Sequence, residues 1–258
     1  MAAPPLFDCD AWYVNLDCRP DREAHMTQEL DRVGISARRQ RGYLPDEYPG
    51  DPACVAAMRQ RTPGAIGCFF AQREIVQRAV KSGRDTLILE DDVVFCDDFL
   101  DRWQHIRRFL DTRVWDIFAL GATFHVNPPV WHREDLGRDV EVTSDPRILR
   151  TYGIWSTYAW VVNGARAGDL VQLVDANTTG SWGIDHLLIQ IQPQLKCYCY
   201  VPGSVKQRDD RSNIGLNRDG SPGFTRFSDF ARLGPYWWQP RAHLFNPVDF
   251  DWAEARDA

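Results

Sequence analysis

The sequence predicts an α/β fold in which a mostly parallel β-sheet is flanked by helices. Short apolar runs alternate with longer amphipathic segments through the first half of the chain. Several of the short runs, such as TLILE and WDIFALG, are mostly apolar at consecutive positions, which is typical of strands that are buried on both faces. Because strands that are joined by a helix pair in parallel, this alternation predicts parallel strands covered by helices.

The first half of the chain contains four predicted strands and three predicted helices. The strands are AWYVNL (11–16), ISARR (35–39), TLILE (86–90) and WDIFALG (115–121). The helices cover residues 19–34, 62–83 and 97–111. Proline in the first turn and glycine at the end favour the first two helices, and apolar residues recur at helical spacing in all three. In such sheets, ligands bind beyond the carboxyl ends of the strands, so the residues there are the first site candidates.

The second half of the chain is less regular. Residues 121–147 are expected to form a long loop. STYAWVVN and KCYCYVPG are predicted strands, while GARAGDLVQLV and the end of SWGIDHLLIQI are predicted helices. The tail from Ser204 is rich in aromatic residues, so we expect it to dock on the body of the protein.

Composition excludes several classes of protein. The formal net charge of −6 over 258 residues disfavours a nucleic-acid partner. No apolar run reaches the roughly 18 residues of a membrane span, and the start lacks a signal-peptide pattern. The seven cysteines include no CxxC pair, which favours reduced thiols over a zinc site. These features predict a cytoplasmic location, with peripheral attachment to the inner face of a membrane as the alternative.

Three consecutive acids, Glu90, Asp91 and Asp92, follow the predicted strand TLILE. Each carboxylate raises the free-energy cost of ionising its neighbours, so the cluster requires either water or a positive partner. Hard oxygen ligands suit a divalent cation that also binds diphosphate oxygens, and this interpretation assigns Asp91 and Asp92 to a metal. The alternative is a solvated acidic turn that caps the helix starting near Asp97, because helix N-termini favour acids.

Two further clusters are candidates for chemistry. In SWGIDHLL, Asp185 lies at the start of a predicted helix, where a carboxylate could accept a proton from a hydroxyl nucleophile. The alternative role for Asp185 is a helix N-cap. In SVKQRDDRSNIG, Lys206, Arg208 and Arg211 could approach phosphates, and the alternative is a solvated basic loop.

Five segments in chain order resemble the motifs of glycosyltransferase family 25, which includes bacterial lipooligosaccharide galactosyltransferases and collagen galactosyltransferase domains. They are YVNLDCRPDR, TPGAIGCFFAQ, LILEDDV, GIDHLL and VPGSVKQRDDRSNI, and they lie between residues 12 and 214. No single segment is decisive, but five segments in the family's order are hard to obtain by chance.

The resemblance implies a GT-A type fold over residues 1–203. Its Rossmann-like, nucleotide-binding half would cover about 10–121 and its acceptor half about 122–203, with a packed tail over 204–258. It also implies metal-dependent transfer of a sugar, usually galactose, from a UDP-sugar to a hydroxyl of a glycan or glycosylated acceptor. The reaction would invert the anomeric carbon and use Mn²⁺ (or Mg²⁺).

The resemblance further implies roles for individual residues. The acidic block would serve the metal through Asp91 and Asp92, and the nucleotide sugar through Glu90 and Asp91. Asp185 matches the family's later carboxylate and would be the catalytic base. The opening and closing motifs supply the other donor-binding candidates, which are Asn15, Leu16, Asp17, Arg19, Arg22 and Gln207.

The sequence also departs from the family's pattern. Gln72 and Tyr158 stand where the family usually has histidine, Trp160 replaces a tyrosine, and Asn213 replaces an aspartate. Glutamine cannot carry a proton at neutral pH, so these changes suggest an altered acceptor or sugar pocket. Two alternatives stay open: a non-catalytic sugar-nucleotide- or glycan-binding relative, and a metal-dependent phosphohydrolase. A phosphohydrolase would usually need further acids or histidines at other strand ends, and the predicted strand WDIFALG ends without one.

Overall fold

The computed structural model of the chain is built around an eight-stranded sheet. It describes residues 7–44, 47, 63–121, 140–154, 157–177, 183–201 and 203–208. The strands are β1 (Asp10–Asn15), β2 (Arg38–Arg41), β3 (Thr86–Glu90), β4 (Val93–Phe95), β5 (Ile117–Ala119), β6 (Val140–Val142), β7 (Ile148–Thr151), β8 (Ala159–Val162), β9 (Cys197–Tyr200) and β10 (Val205–Gln207). The helices are α1 (Pro20–Val33), α2 (Pro63–Ser82), α3 (Phe99–Leu110), α4 (Ala167–Asn177) and α5 (Ile184–Ile191).

The strands of the sheet follow the order β2-β1-β3-β8-β5-β9-β7-β6, and β4 pairs separately with β10. Parallel pairs join β1 to both β2 and β3, and β5 to β9. β8 runs antiparallel between β3 and β5, and β7 runs antiparallel to β9 and β6. All strands of the sheet except β7 and β8 therefore point the same way, which confirms the predicted mostly parallel α/β class.

Helices cover both faces of the sheet because its central strands are apolar on both. On β3, Leu87 and Leu89 join the core formed with α1 and α3, while Ile88 joins the core formed with α2, α4 and α5. This alternation explains why the three central residues of TLILE are all apolar. Within the described ranges, no helix is both long enough and apolar enough to cross a membrane.

The structure corrects several predicted elements. The second strand is Arg38–Arg41, three residues later than predicted. β6 lies within the predicted loop 121–147, and β4, β7 and β10 were not predicted. These strands have three or four residues each, and partners distant in sequence stabilise β4, β7 and β10, so local patterns do not reveal them. β10 lies in the segment predicted as tail, while residues 209–258 are outside the described residues.

Gly164, just after β8, packs against the backbone of Arg84. A Cβ at this position would lie 2.3 Å from the Arg84 carbonyl carbon and oxygen. We expect Gly164→Ala to lower the free energy of unfolding by about 1–3 kcal/mol, measured by urea denaturation, because the backbone must shift. The matched control is Gly168→Ala on α4, where a Cβ meets nothing within 4 Å. The free energy of unfolding of this control should rise by up to about 1 kcal/mol, because alanine has a higher helix propensity than glycine. Equal free energies of unfolding for the two variants would contradict the prediction.

Candidate functional site

The acid cluster lies in the turn between β3 and β4, beside the carboxyl end of β1. Parallel pairing aligns Val14 with Glu90, so Asn15 is adjacent to the turn. Asn15 Nδ2 donates a hydrogen bond to Asp91 Oδ2 at 2.8 Å. Asn15 Oδ1 accepts one from Arg39 Nε on β2 at 2.9 Å. The ends of β1 and β3 and one side chain from β2 therefore contribute to one polar site, as the parallel arrangement predicts.

The positive partner of the cluster is Arg22, on the first turns of α1. Its Nη1 lies 2.6 Å from Asp91 Oδ1 and 3.3 Å from Asp92 Oδ2. Burial alone would lower the pKa of Arg22. The negative charges of Asp92 and Asp91 and the hydrogen bond to Asp91 outweigh this effect, so the pKa of Arg22 is raised overall. The Asp91 and Asp92 side chains are only 11% and 12% exposed, and β4 separates the turn from α3. The solvated, helix-capping alternative is therefore wrong.

Glu90 lies on the opposite face of the sheet from Arg22, against α2. Its Oε1 is 3.5 Å from Gln72 Nε2 and 3.4 Å from Thr157 Oγ1. Burial, followed by the charges of Asp92, Asp185 and Asp91, raises the pKa of Glu90 well above its usual value. The turn thus divides its acids between two faces, with the arginine on one side only.

Asp185 lies on the Glu90 face, in the first turn of α5. Thr157 Oγ1, just before β8, donates a hydrogen bond of 2.6 Å to Asp185 Oδ1. Burial raises the pKa of Asp185, and hydrogen bonds from the side chain and backbone of Thr157 oppose that rise. The N-cap of α5 is Gly183, and no side chain caps this helix, so the alternative role of Asp185 as N-cap is wrong.

Gln207 spans the two faces of the acid turn. β10 pairs antiparallel with β4 and aligns Gln207 with Val93. Gln207 Nε2 lies 3.4 Å from Glu90 Oε2 and 3.4 Å from Asp92 Oδ1. The next residue, Arg208, donates its backbone N–H to the Asp92 carbonyl at 2.7 Å. The closing motif therefore meets the acid turn through tertiary contacts.

Three of the predicted donor-binding residues lie beside the cluster and contact other groups. Asp17 accepts hydrogen bonds of 2.7 Å from both Arg39 and Arg41. Arg19 pairs with Asp21 at 2.7 Å, and its backbone N–H bonds to the Leu16 carbonyl at 2.9 Å. Their roles toward a nucleotide remain predictions. Arg211 and Asn213 lie outside the described residues.

Sequence reasoning missed Thr157 and Arg39, and it did not foresee the contacts of Gln72. Gln72 is fully buried: its Oε1 accepts from Trp160 Nε1 at 2.8 Å, and its Nε2 donates to the Thr157 carbonyl at 3.2 Å. It therefore contacts the site both through the Thr157 carbonyl and directly at Glu90. Arg39 could have been found, because β2 ends at the same edge of the sheet as β1. Thr157 could not, because its approach depends on the antiparallel direction of β8.

A divalent metal would fit this site through Asp92. Both carboxylate oxygens of Asp91 make short hydrogen bonds, of 2.6 and 2.8 Å, to Arg22 and Asn15. The contacts of Asp92 with Arg22 and Gln207 are longer, 3.3 and 3.4 Å. Across the part of the chain that the structure describes, no group of three or more His, Cys, Asp or Glu residues is arranged to hold a metal. A metal here would therefore need further oxygen ligands, such as those of a bound diphosphate.

Comparison with known proteins identifies one family and several similar folds. The model of glycosyltransferase family 25 (LPS biosynthesis protein) matches residues 10–125. No curated protein matches the chain. Similar solved structures include a glycosyltransferase involved in the glycosylation of the major capsid of PBCV-1, at 13% identity, covering 75% of this chain and 83% of that one, with a TM-score of 0.38. Mouse xyloside xylosyltransferase 1 is 12% identical, with 73% of this chain and 82% of that chain covered and a TM-score of 0.40. The inositol-1-phosphate CTP transferase from T. maritima is 12% identical, with 81% of this chain and 74% of that chain covered and a TM-score of 0.40.

The matched segment coincides with one part of the site. It contains Asn15, Arg22 and the acid turn, and it ends before Thr157 and Asp185. The roles of the later residues must therefore be argued from geometry. Residues 10–125 are therefore similar to glycosyltransferase family 25.

Proposed function

We propose that the protein is a metal-dependent, inverting glycosyltransferase that moves a sugar, galactose, from a UDP-sugar to a hydroxyl of a glycan or glycosylated acceptor. The observation that best supports this proposal is the division of the acid turn between two faces. Asp91 and Asp92 meet Arg22 on one face, and Glu90 meets Thr157, the partner of Asp185, on the other. An inverting displacement requires such a division, because the base and the leaving diphosphate lie on opposite sides of the anomeric carbon.

The Arg22 face would bind the UDP-sugar. Arg22 and Arg39 bring guanidinium groups to the ends of β1 and β2, and guanidinium forks suit phosphate oxygens. Asn15 links the two arginines through Asp91 and would keep their geometry fixed. Asp92 would hold the Mn²⁺ or Mg²⁺, which when bound would neutralise charge on the departing UDP. Leu16, Asp17 and Arg19 would border the nucleotide.

Asp185 would act as the base on the other face. The acceptor oxygen forms a bond to the anomeric carbon while the bond from that carbon to the diphosphate oxygen breaks. The electron pair of the broken bond leaves with UDP, and the acceptor proton passes to an oxygen of Asp185. The raised pKa of Asp185 suits this role, since a more basic carboxylate takes a proton more readily provided that it is ionised.

A nucleotide-sugar panel tests the proposal. We expect UDP-galactose with Mn²⁺ to raise the melting temperature more than UDP-glucose or UDP-N-acetylglucosamine, because preferential binding stabilises the folded state. UDP release should accompany binding and should stop when a chelator is added. Stabilisation without any UDP release would indicate a non-catalytic binder. Inorganic phosphate appearing with no sugar transferred would indicate a phosphohydrolase.

A further inference from the structure

Thr157 makes a short side-chain hydrogen bond to the proposed base, Asp185. Its Oγ1 is 2.6 Å from Asp185 Oδ1, and its backbone also hydrogen bonds to this carboxylate. Thr157 itself is 1% exposed. A buried hydroxyl at this distance from a carboxylate makes a strong, charge-assisted hydrogen bond.

The direction of the hydroxyl proton follows from the two distances. Glu90 Oε1 is the other carboxylate oxygen near Thr157 Oγ1, at 3.4 Å against 2.6 Å for Asp185. A hydroxyl has one proton to donate, and a bond of 2.6 Å is far stronger than one of 3.4 Å. The proton therefore points to Asp185.

Two features keep Thr157 in this position. Gln72 Nε2 donates a hydrogen bond of 3.2 Å to the backbone carbonyl of Thr157. Gln72 Oε1 in turn accepts one of 2.8 Å from Trp160 Nε1. Threonine is also β-branched, which restricts rotation of its side chain. The donor is therefore fixed before any substrate binds.

We propose that Thr157 is a positioning residue for Asp185, holding this carboxylate ionised and in a single orientation from which it accepts the proton of the acceptor hydroxyl. The inference rests on the proposed function. It adds a residue outside the segment that the family model matches.

The groups that face Asp185 make this role necessary. Glu90 from β3, Cys68 from α2 and Tyr158 beside Thr157 all interact with the charge of Asp185. Each of them is neutral or negative, so none stabilises a carboxylate through opposite charge. Burial disfavours the ionised Asp185, and the two hydrogen bonds from Thr157 oppose burial.

Thr157→Val tests the proposal, because it removes the hydroxyl and keeps the shape and the backbone N–H. We expect kcat for UDP release, measured with the most active donor of the panel, to fall about ten- to hundredfold, as for loss of a hydrogen bond to a charged group. KM for the donor should not change. The acid limb of the pH profile of kcat should move to higher pH by about one unit, because the pKa of Asp185 rises further.

Three variants provide the controls. Thr157→Ser keeps the hydroxyl and should retain kcat and the pH profile of the wild type within about threefold, since hydrogen bonding to the charged base is preserved. Thr151→Val makes the same change at another buried threonine, on β7, whose hydroxyl makes no hydrogen bond within the described structure. It should leave the pH profile unchanged. In an Asp185→Asn background, Thr157→Val should lower kcat little further, because both changes act through the same carboxylate.

The outcomes separate this inference from the proposed function. An active wild type, with Thr157→Val showing the same kcat and acid limb, would overturn the inference alone. If Thr157→Val does not fold, Thr157→Ala replaces it; equal losses in the Ala and Ser variants would also overturn it. A wild type that releases UDP from no donor overturns the proposed function, and the inference falls with it.

Discussion

Asp185→Asn is expected to reduce sugar transfer by about 10²–10⁴-fold, the range for loss of a general base, and to leave donor binding unchanged. The side chain keeps its size but can no longer take a proton from the acceptor. Donor affinity is measured by thermal shift, and turnover by UDP release. In the wild type, burial raises the pKa of Asp185, so kcat should fall as the pH is lowered through a value above that of an ordinary aspartate. The variant should lose this acid limb.

The matched control for this prediction is Asp169→Asn. Asp169 also lies in the first turn of a helix, α4, but it is exposed and its charge faces Arg166. It should keep full turnover. If Asp185→Asn weakened donor binding as much as turnover, Asp185 would be a donor contact and not the base.

Asp92→Asn is expected to abolish turnover while the fold survives, and the melting temperature should not decrease. The change removes the carboxylate that best fits a metal, so the dependence of UDP release on Mn²⁺ should be lost. After burial, Asp92 is the largest cause of the raised pKa of Glu90, and neutralising it relieves this repulsion. Arg22 keeps its 2.6 Å contact with Asp91, so the buried arginine retains an acidic partner.

Asp101→Asn, an exposed aspartate on α3, is the control for Asp92→Asn. It should match the wild type in both melting temperature and turnover. An Asp92→Asn enzyme with full, Mn²⁺-dependent activity would contradict the metal assignment. A large fall in its melting temperature would show instead that Asp92 serves the fold.

Much of the Arg22 face of the site was predictable because its residues are local in sequence. The acids directly follow β3, and Asn15 ends β1, so parallel pairing was enough to bring them together. Pro20 and the regular spacing of Met26, Leu30 and Val33 also predicted α1, whose first turns present Arg22 to the acids. The metal at the acids stays a prediction, and the sequence reasoning did not foresee that the guanidinium of Arg22 contacts both Asp91 and Asp92.

The Glu90 side was less predictable, because it depends on strands that pair over long distances. β8 lies between β3 and β5 and runs antiparallel to both. The sequence analysis predicted parallel strands and gave no sign of this reversed direction. Because of this direction, the start of β8 lies beside the end of β3, and the Glu90 backbone N–H donates to the Tyr158 carbonyl at 2.8 Å. The contacts of Gln72 with the Thr157 carbonyl and Glu90 also follow from this arrangement, while its effect on a sugar pocket stays a prediction.

The sequence by itself determined the α/β class, the two-sided burial of the sheet and the position of the acids at a strand end. These features follow from hydrophobic periodicity and chain order, which are local properties. The three-dimensional structure was needed to show that Arg22 pairs with Asp91 and Asp92. It was also needed to show that Thr157 contacts both Glu90, 67 residues earlier, and Asp185. The reason is that strand order and direction are chosen by non-local pairing and packing, whose free energy depends on partners that no short window of sequence contains.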